Sequence, residues 1–156
     1  MNYRKDRLGG DISILGFGCM RFTTKAGRID LDKAQEEILA AFEAGVNYYD
    51  TAYIYPGSEA AIGEIFEHTG IRDKIKIATK LPQYLIKSRE AAEKIFTEEL
   101  RRLRTDHVDY YLMHMLSSAQ TWQRLQGLGI DEWLREKQHR KQHKKRKACF
   151  HGKSFD

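Results

Sequence analysis

The chain has 156 residues, 41% of them apolar, enough for one domain with its own core. Its formal charge of +5 comes from the tail: residues 135–156 hold nine Lys and Arg against two Asp and Glu, which leaves −2 on residues 1–134, so no nucleic acid is expected as a partner of the body. Two distant cysteines, Cys19 and Cys149, exclude a disulfide scaffold, and the absence of a signal-type segment or an apolar run of roughly 18 residues leads us to expect a soluble, cytoplasmic protein away from membranes.

In chain order, YRKDRL and ISIL lead into GFGCM, and the stretch IDLDKAQEEILAAFEAG follows. There Ala34, Ile38, Ala41 and Phe42 form an amphipathic helical stripe, with Gly45 placed to end it. The strand VNYYD comes next. Ser58 is expected to cap a second helix carrying Ile62, Ile65 and Phe66 on one face and ending at Gly70. After the strand IKIAT, Ser88 is expected to cap a third helix through Ala92, Ile95, Phe96, Leu100 and Leu103, whose Arg101, Arg102 and Arg104 lie near its C-terminal carbonyls. The strand VDYYLMH, a weaker helix with Trp122, Leu125 and Leu128 that Gly127 and Gly129 interrupt, and another helix from DEWLREK complete the pattern. Four strand–helix units predict an α/β chain with a parallel sheet; periodicity alone fits both a doubly wound sheet and half of a (β/α)8 barrel.

Four polar side chains fall at the C-terminal ends of predicted strands. Asp50 closes VNYYD, Tyr55 stands in the loop after it, Lys80 closes IKIATK and His114 closes VDYYLMH. Taken singly, each has an ordinary structural reading: a capped turn, a packed phenol, a solvated amine, a satisfied imidazole. Together they matter more, because the carboxyl ends of parallel strands form the functional face of such sheets. Cys19 by itself reads as a small buried hydrophobe.

The run YDTAYIYPGSEAAIGE, with IATK and YYLMH after it, resembles the aldo-keto reductase family, over residues 1 to about 137. The similarity is strongest to members that can carry a C-terminal iron–sulfur module. The resemblance implies a (β/α)8 TIM barrel, closed at the bottom by an N-terminal hairpin, of which this chain holds the hairpin and about four βα units. It implies NADP(H) as cofactor, with NAD(H) as the alternative, and a small-molecule aldehyde or ketone as substrate. It carries the family's tetrad onto Asp50, Tyr55, Lys80 and His114, and places Gly18, Cys19, Met20 and Asp50 as cofactor contacts beside the nicotinamide. No metal is expected.

Carbonyl reduction gives these residue types physical sense. A hydride must come from a cofactor, since no side chain supplies one. The proton would come from Tyr55: a phenol of reference pKa about 10 is a poor acid, and the Lys80 ammonium, held by Asp50, favours its release. A neutral His114 imidazole would donate a hydrogen bond to the substrate oxygen. GFGCMR lacks the third glycine of a dinucleotide fingerprint, and no helix opens directly from it.

A complete barrel needs roughly 250 residues, so the 156-residue chain is expected to be a truncated form, with its open half-barrel inviting self-association. Residues 138–156 are expected to be a basic, irregular tail. Family members of this kind follow REK with a glycine turn and a strand resembling IKNVGFS, then HG, whereas this chain has HRKQHKKRKAC before FHGK. One choice of codons for HRKQHKKRK, read a base later, encodes Ile-Gly-Ser-Ser-Ile-Lys-Asn-Val, so residues 139–149 are read as a frame-shifted segment. The alternative is a polybasic arm that binds polyanions without enzymatic activity. His139 and His143, with Cys149 and His151 beyond, lack the glutamate of a helical zinc-protease motif and are not read as a metal site.

Overall fold

The computed structural model describes residues 1–7 and 9–139 of the chain. It opens with an antiparallel hairpin, β1 (Tyr3–Lys5) and β2 (Asp11–Ser13). The next strand, β3 (Phe17–Gly18), is followed by a second hairpin, β4 (Thr24–Lys25) and β5 (Arg28–Ile29), that the sequence pattern did not suggest. Two-residue strands are too short to show alternation. Their turn is Ala26-Gly27, with φ of 50° and 76°, the left-handed pair that a tight hairpin turn requires.

Helix α1 (Leu31–Glu43) begins at Asp30, whose side chain accepts from the Lys33 N–H at 3.2 Å, and buries Ala34 and Ile38. Strand β6 (Tyr48–Asp50), helix α2 (Ser58–Thr69), strand β7 (Lys76–Pro82), helix α3 (Arg89–Arg102), strand β8 (Tyr110–His114) and helix α4 (Ala119–Gly127) follow. A fifth helix, α5, covers residues 130–139. Ser88 caps α3 by accepting from the Ala91 N–H, as expected, and Ser118 caps α4 through Thr121. The basic tail beyond residue 139, with its frame-shift and polyanion readings, lies outside the described residues, as do His143, Cys149 and His151.

One expectation is corrected. Ser58 is the first residue of α2 rather than its cap: Gly57, at φ 74°, takes the cap position. The Ser58 hydroxyl is drawn inward instead, donating to the Cys19 carbonyl at 2.7 Å. Arg101 and Arg102 lie in the last turn of α3, near its C-terminal carbonyls as expected, and the arginines here also pair with carboxylates. Arg101 and Arg102 both bond Glu98, and Arg104 reaches Glu64 and Glu67 on α2.

Strands β3, β6, β7 and β8 form one parallel sheet in that order. Alternation along the strands sends one set of side chains to the helices and the other to the opposite face. Toward the helices go Tyr49, Ile77, Thr79 and Leu81, all fully buried. Tyr49 meets Phe66 of α2 edge-on at 5.3 Å and donates its hydroxyl to the Ile38 carbonyl of α1. A second cluster joins Leu81, Ile86, Leu125, Ile130 and Trp133 under α3, α4 and α5. Each such side chain contributes about 1.5–3 kcal/mol by leaving water. The opposite face carries Asp50, Ala78, Lys80, Leu112 and His114. Leu112, in mid-strand, is 41% exposed there.

The first hairpin packs against the N-terminal ends of the sheet strands. The Ser13 N–H donates to the Asn47 side chain at 2.8 Å, Asn47 N–H returns a bond to the Ser13 hydroxyl, and Tyr110 donates to Asp6. This is the bottom closure that the resemblance implied, and it leaves the C-terminal strand ends clear.

Candidate active site

At those C-terminal ends the predicted polar residues converge. In-register pairing puts Asp50 beside Ala78, Lys80 beside Leu112, and Pro82 beside His114, so Asp50, Lys80 and His114 project from the same face of three successive strands. The Lys80 ammonium lies 2.5 Å from Asp50 Oδ2 and also donates to the Thr51 carbonyl at 2.7 Å. It stands 5.1 Å from the centre of the Tyr55 ring. Tyr55 in turn meets the His114 ring edge-on, 5.8 Å between centroids at 88°. Two bonds steady the Tyr55 loop, from the Tyr55 N–H to the Ala52 carbonyl and from the Ser58 N–H back to the Tyr55 carbonyl.

His114 is the electrostatically distinctive member. Its Nδ1 is buried, and no hydrogen-bond partner for it is found among the described residues. Burial, reinforced by the nearby Lys80 charge and opposed by Asp50, moves its pKa below the ordinary histidine value. The ring is therefore neutral at pH 7, with one N–H to donate.

The turn after β3 lies beside this cluster. Gly18 pairs with Asp50 across the sheet, and a Cβ added there would meet nothing within 4 Å. Met20 is 56% exposed. Cys19 differs from its neighbours: its thiol is fully buried in the helix-side core, where burial pushes its pKa up. Its N–H is spent on the Asp50 carbonyl and its carbonyl on Ser58. Of the three turn residues, Gly18 and Met20 present surface. Thr51 and Ser58 were not singled out in the sequence, yet their hydroxyls lie 2.8 Å apart and tie this turn to the strand end carrying Asp50. Serine and threonine at loop ends are too common to signal such a role.

No group of His, Cys, Asp and Glu among the described residues could hold a metal ion. No described helix is long and apolar enough to cross a membrane.

A parallel sheet covered by helices on one face, with polar groups gathered at its strand ends, is part of a (β/α)8 barrel that is not closed. A model of the aldo/keto reductase family matches residues 14–138, and the chain belongs to that family. An aldo-keto reductase of Mycobacterium sp. (strain MCS) is 37% identical over 129 residues, which cover 80% of this chain and 39% of the relative. Among solved structures, an aldo/keto reductase from Brucella melitensis superposes with a TM-score of 0.62 at 29% identity, over 87% of this chain and 49% of that one. An aldo-keto reductase from Klebsiella pneumoniae, crystallised with NADPH, shares the fold at a TM-score of 0.64 and 22% identity, over 84% of this chain and 47% of its own. The chain thus spans less than half the length of each of these relatives.

Proposed function

We propose that residues 1–137 form the N-terminal half of a nicotinamide-dependent carbonyl reductase, which reduces aldehydes or ketones to alcohols. The observation that carries this reading is the convergence of Lys80, Asp50, Tyr55 and His114 on one strand-end face, with the lysine shared between a carboxylate and the phenol ring. Gly18, Met20 and Asp50 would hold the nicotinamide end of NADP(H), and a Cβ added at Gly18 meets nothing within 4 Å, which leaves that approach open. When bound, that cofactor supplies the hydride.

In this reading Tyr55 hands its proton to the carbonyl oxygen as that oxygen gains negative charge. Lys80 makes the release easier, because its ammonium favours the phenolate left behind. Asp50 and the Thr51 carbonyl hold the ammonium in place, so it does not swing into solvent. His114, neutral, donates an N–H to the same substrate oxygen and orients it.

Joining residues 1–137 to the second half of a related full-length reductase tests the reading. The completed barrel is expected to oxidise NADPH in the presence of a small aldehyde and to show saturable changes in nicotinamide fluorescence on titration. A folded chimera that does neither would sink the proposal.

The 156-residue chain by itself is expected to self-associate. Among the described residues, β3 and β8 each have one neighbour in the sheet, and Leu112, Met115 and Leu116 are exposed on or beside its open face. Light scattering should report a mass above that of one chain. A monomer with cooperative unfolding would contradict this.

A further inference from the structure

On the helix side of the sheet, away from the strand-end cluster, two carboxyl groups are shut off from water. Glu59 of α2 is 1% exposed and Glu99 of α3 is fully buried. Thr79 of β7 stands between them, its Oγ1 2.7 Å from Glu59 Oε1 and 3.4 Å from Glu99 Oε1. Tyr111 of β8 donates to Glu99 Oε2 at 2.5 Å, and Arg102 Nη1 lies 3.4 Å from Glu59 Oε2.

Counting protons decides the charge state. Thr79 has one hydroxyl proton, and the shorter contact assigns it to Glu59. Glu99 Oε1 then faces a lone pair on Thr79 Oγ1, and two oxygens in that position repel unless Glu99 brings a proton of its own. Among the described residues, the cation in bonding range of the pair, Arg102, sits on Glu59 rather than on Glu99. We propose that Glu99 is a buried proton-binding site: its carboxyl holds a proton at neutral pH and donates it to Thr79, clamping α2 and α3 to the sheet.

The clamp is then one directed chain, from Tyr111 to Glu99 to Thr79 to Glu59, with Arg102 closing it from the far side. The other groups facing it are Glu98, which pairs with Arg102, and Glu93 beyond Tyr111, which accepts from Trp133 Nε1 of α5 at 2.6 Å. Neither brings a positive charge to Glu99. Burial first, then repulsion from Glu59, carries the Glu99 pKa up to about 8, against the hydrogen bond from Tyr111 and the nearby Arg102 charge. Burial raises that of Glu59 too, offset by Thr79 and Arg102. A carboxyl whose folded-state pKa lies above its unfolded value of 4.5 adds stability that is complete below about pH 4.5 and is lost as pH rises through about 8.

Infrared spectroscopy of the 156-residue chain tests this, because the carbonyl stretch of a protonated carboxyl group stands apart from carboxylate bands. At pH 7 the wild-type chain should show that band, and it should fade near pH 8. Glu99→Gln keeps an acceptor for Tyr111 and an N–H for Thr79, so it should fold and lack the band. Urea unfolding should agree: between about pH 5 and 8 the wild-type unfolding constant should gain up to about tenfold per pH unit relative to Glu99→Gln. A band that has vanished by pH 6, or one that survives unchanged in Glu99→Gln, would overturn the proposal. If the variant fails to fold, the wild-type titration still decides, since its midpoint lies either near pH 8 or in the ordinary carboxylate range.

Discussion

Replacing Tyr55 by Phe in the completed barrel is expected to lower kcat for aldehyde reduction by about 10² to 10⁴-fold, with little change in cofactor affinity. The substitution removes one oxygen and keeps the ring, so the edge-on contact with His114 and the ammonium contact with Lys80 both survive. What disappears is the proton. Lys80→Met should act through that same proton, although it also leaves Asp50 without its ammonium partner. The double variant should therefore be scarcely slower than the slower single, because residues acting as one unit are not additive. Turnover and cofactor affinity for the two singles and the double are the measurements. Near-normal turnover in Tyr55→Phe, or losses that simply add, would remove Tyr55 as the proton donor.

Gly63→Ala should be the most damaging small substitution among the described glycines. A Cβ there would stand 2.3 Å from the Arg102 carbonyl oxygen and 2.7 Å from the Leu103 carbonyl carbon. Both are backbone atoms, so no rotamer change relieves the clash, and α2 must move off the end of α3. Alanine favours the helix by about 1 kcal/mol over glycine. Overpacking typically costs about 1–3 kcal/mol, and a rigid backbone clash lies at or beyond the upper end. A net loss of about 2 kcal/mol or more is expected, a large share of the stability of a small domain. Gly127→Ala is the control, since a Cβ there meets nothing within 4 Å and the change should be neutral or mildly stabilising. Equal urea midpoints for the two variants would show that the close approach carries no weight.

The resemblance and the repeating pattern made most of the site legible before any coordinates. Strands in a parallel sheet with helices over one face read as short apolar runs, and the polar residue that closes each run marks the functional end. That logic located Asp50, Lys80 and His114, and the structure brings them together with Tyr55. It served the helix starts less evenly: the Ser88 cap was expected, whereas the Asp30 cap and the β4–β5 hairpin passed unremarked because a single residue or a two-residue strand has no period.

Local order along the chain therefore determined where strands, helices and strand-end polar groups fall, since hydrophobic periodicity depends only on near neighbours in sequence. The fate of individual charges was decided elsewhere. Glu59 and Glu99 look in sequence like solvated positions on helix faces, and Glu98, one residue from Glu99, does remain at the surface end of an arginine pair. Only when α2 and α3 close on the sheet, as near as Gly63 allows, do Glu59 and Glu99 lose water and meet across Thr79. Burial is a property of what packs on top of a residue, and that is set by contacts 20 residues away in the chain for both carboxyls. Cys19, by contrast, already reads in sequence as a small buried hydrophobe, and its thiol is fully enclosed by the helix-side core while its neighbours Gly18 and Met20 face outward.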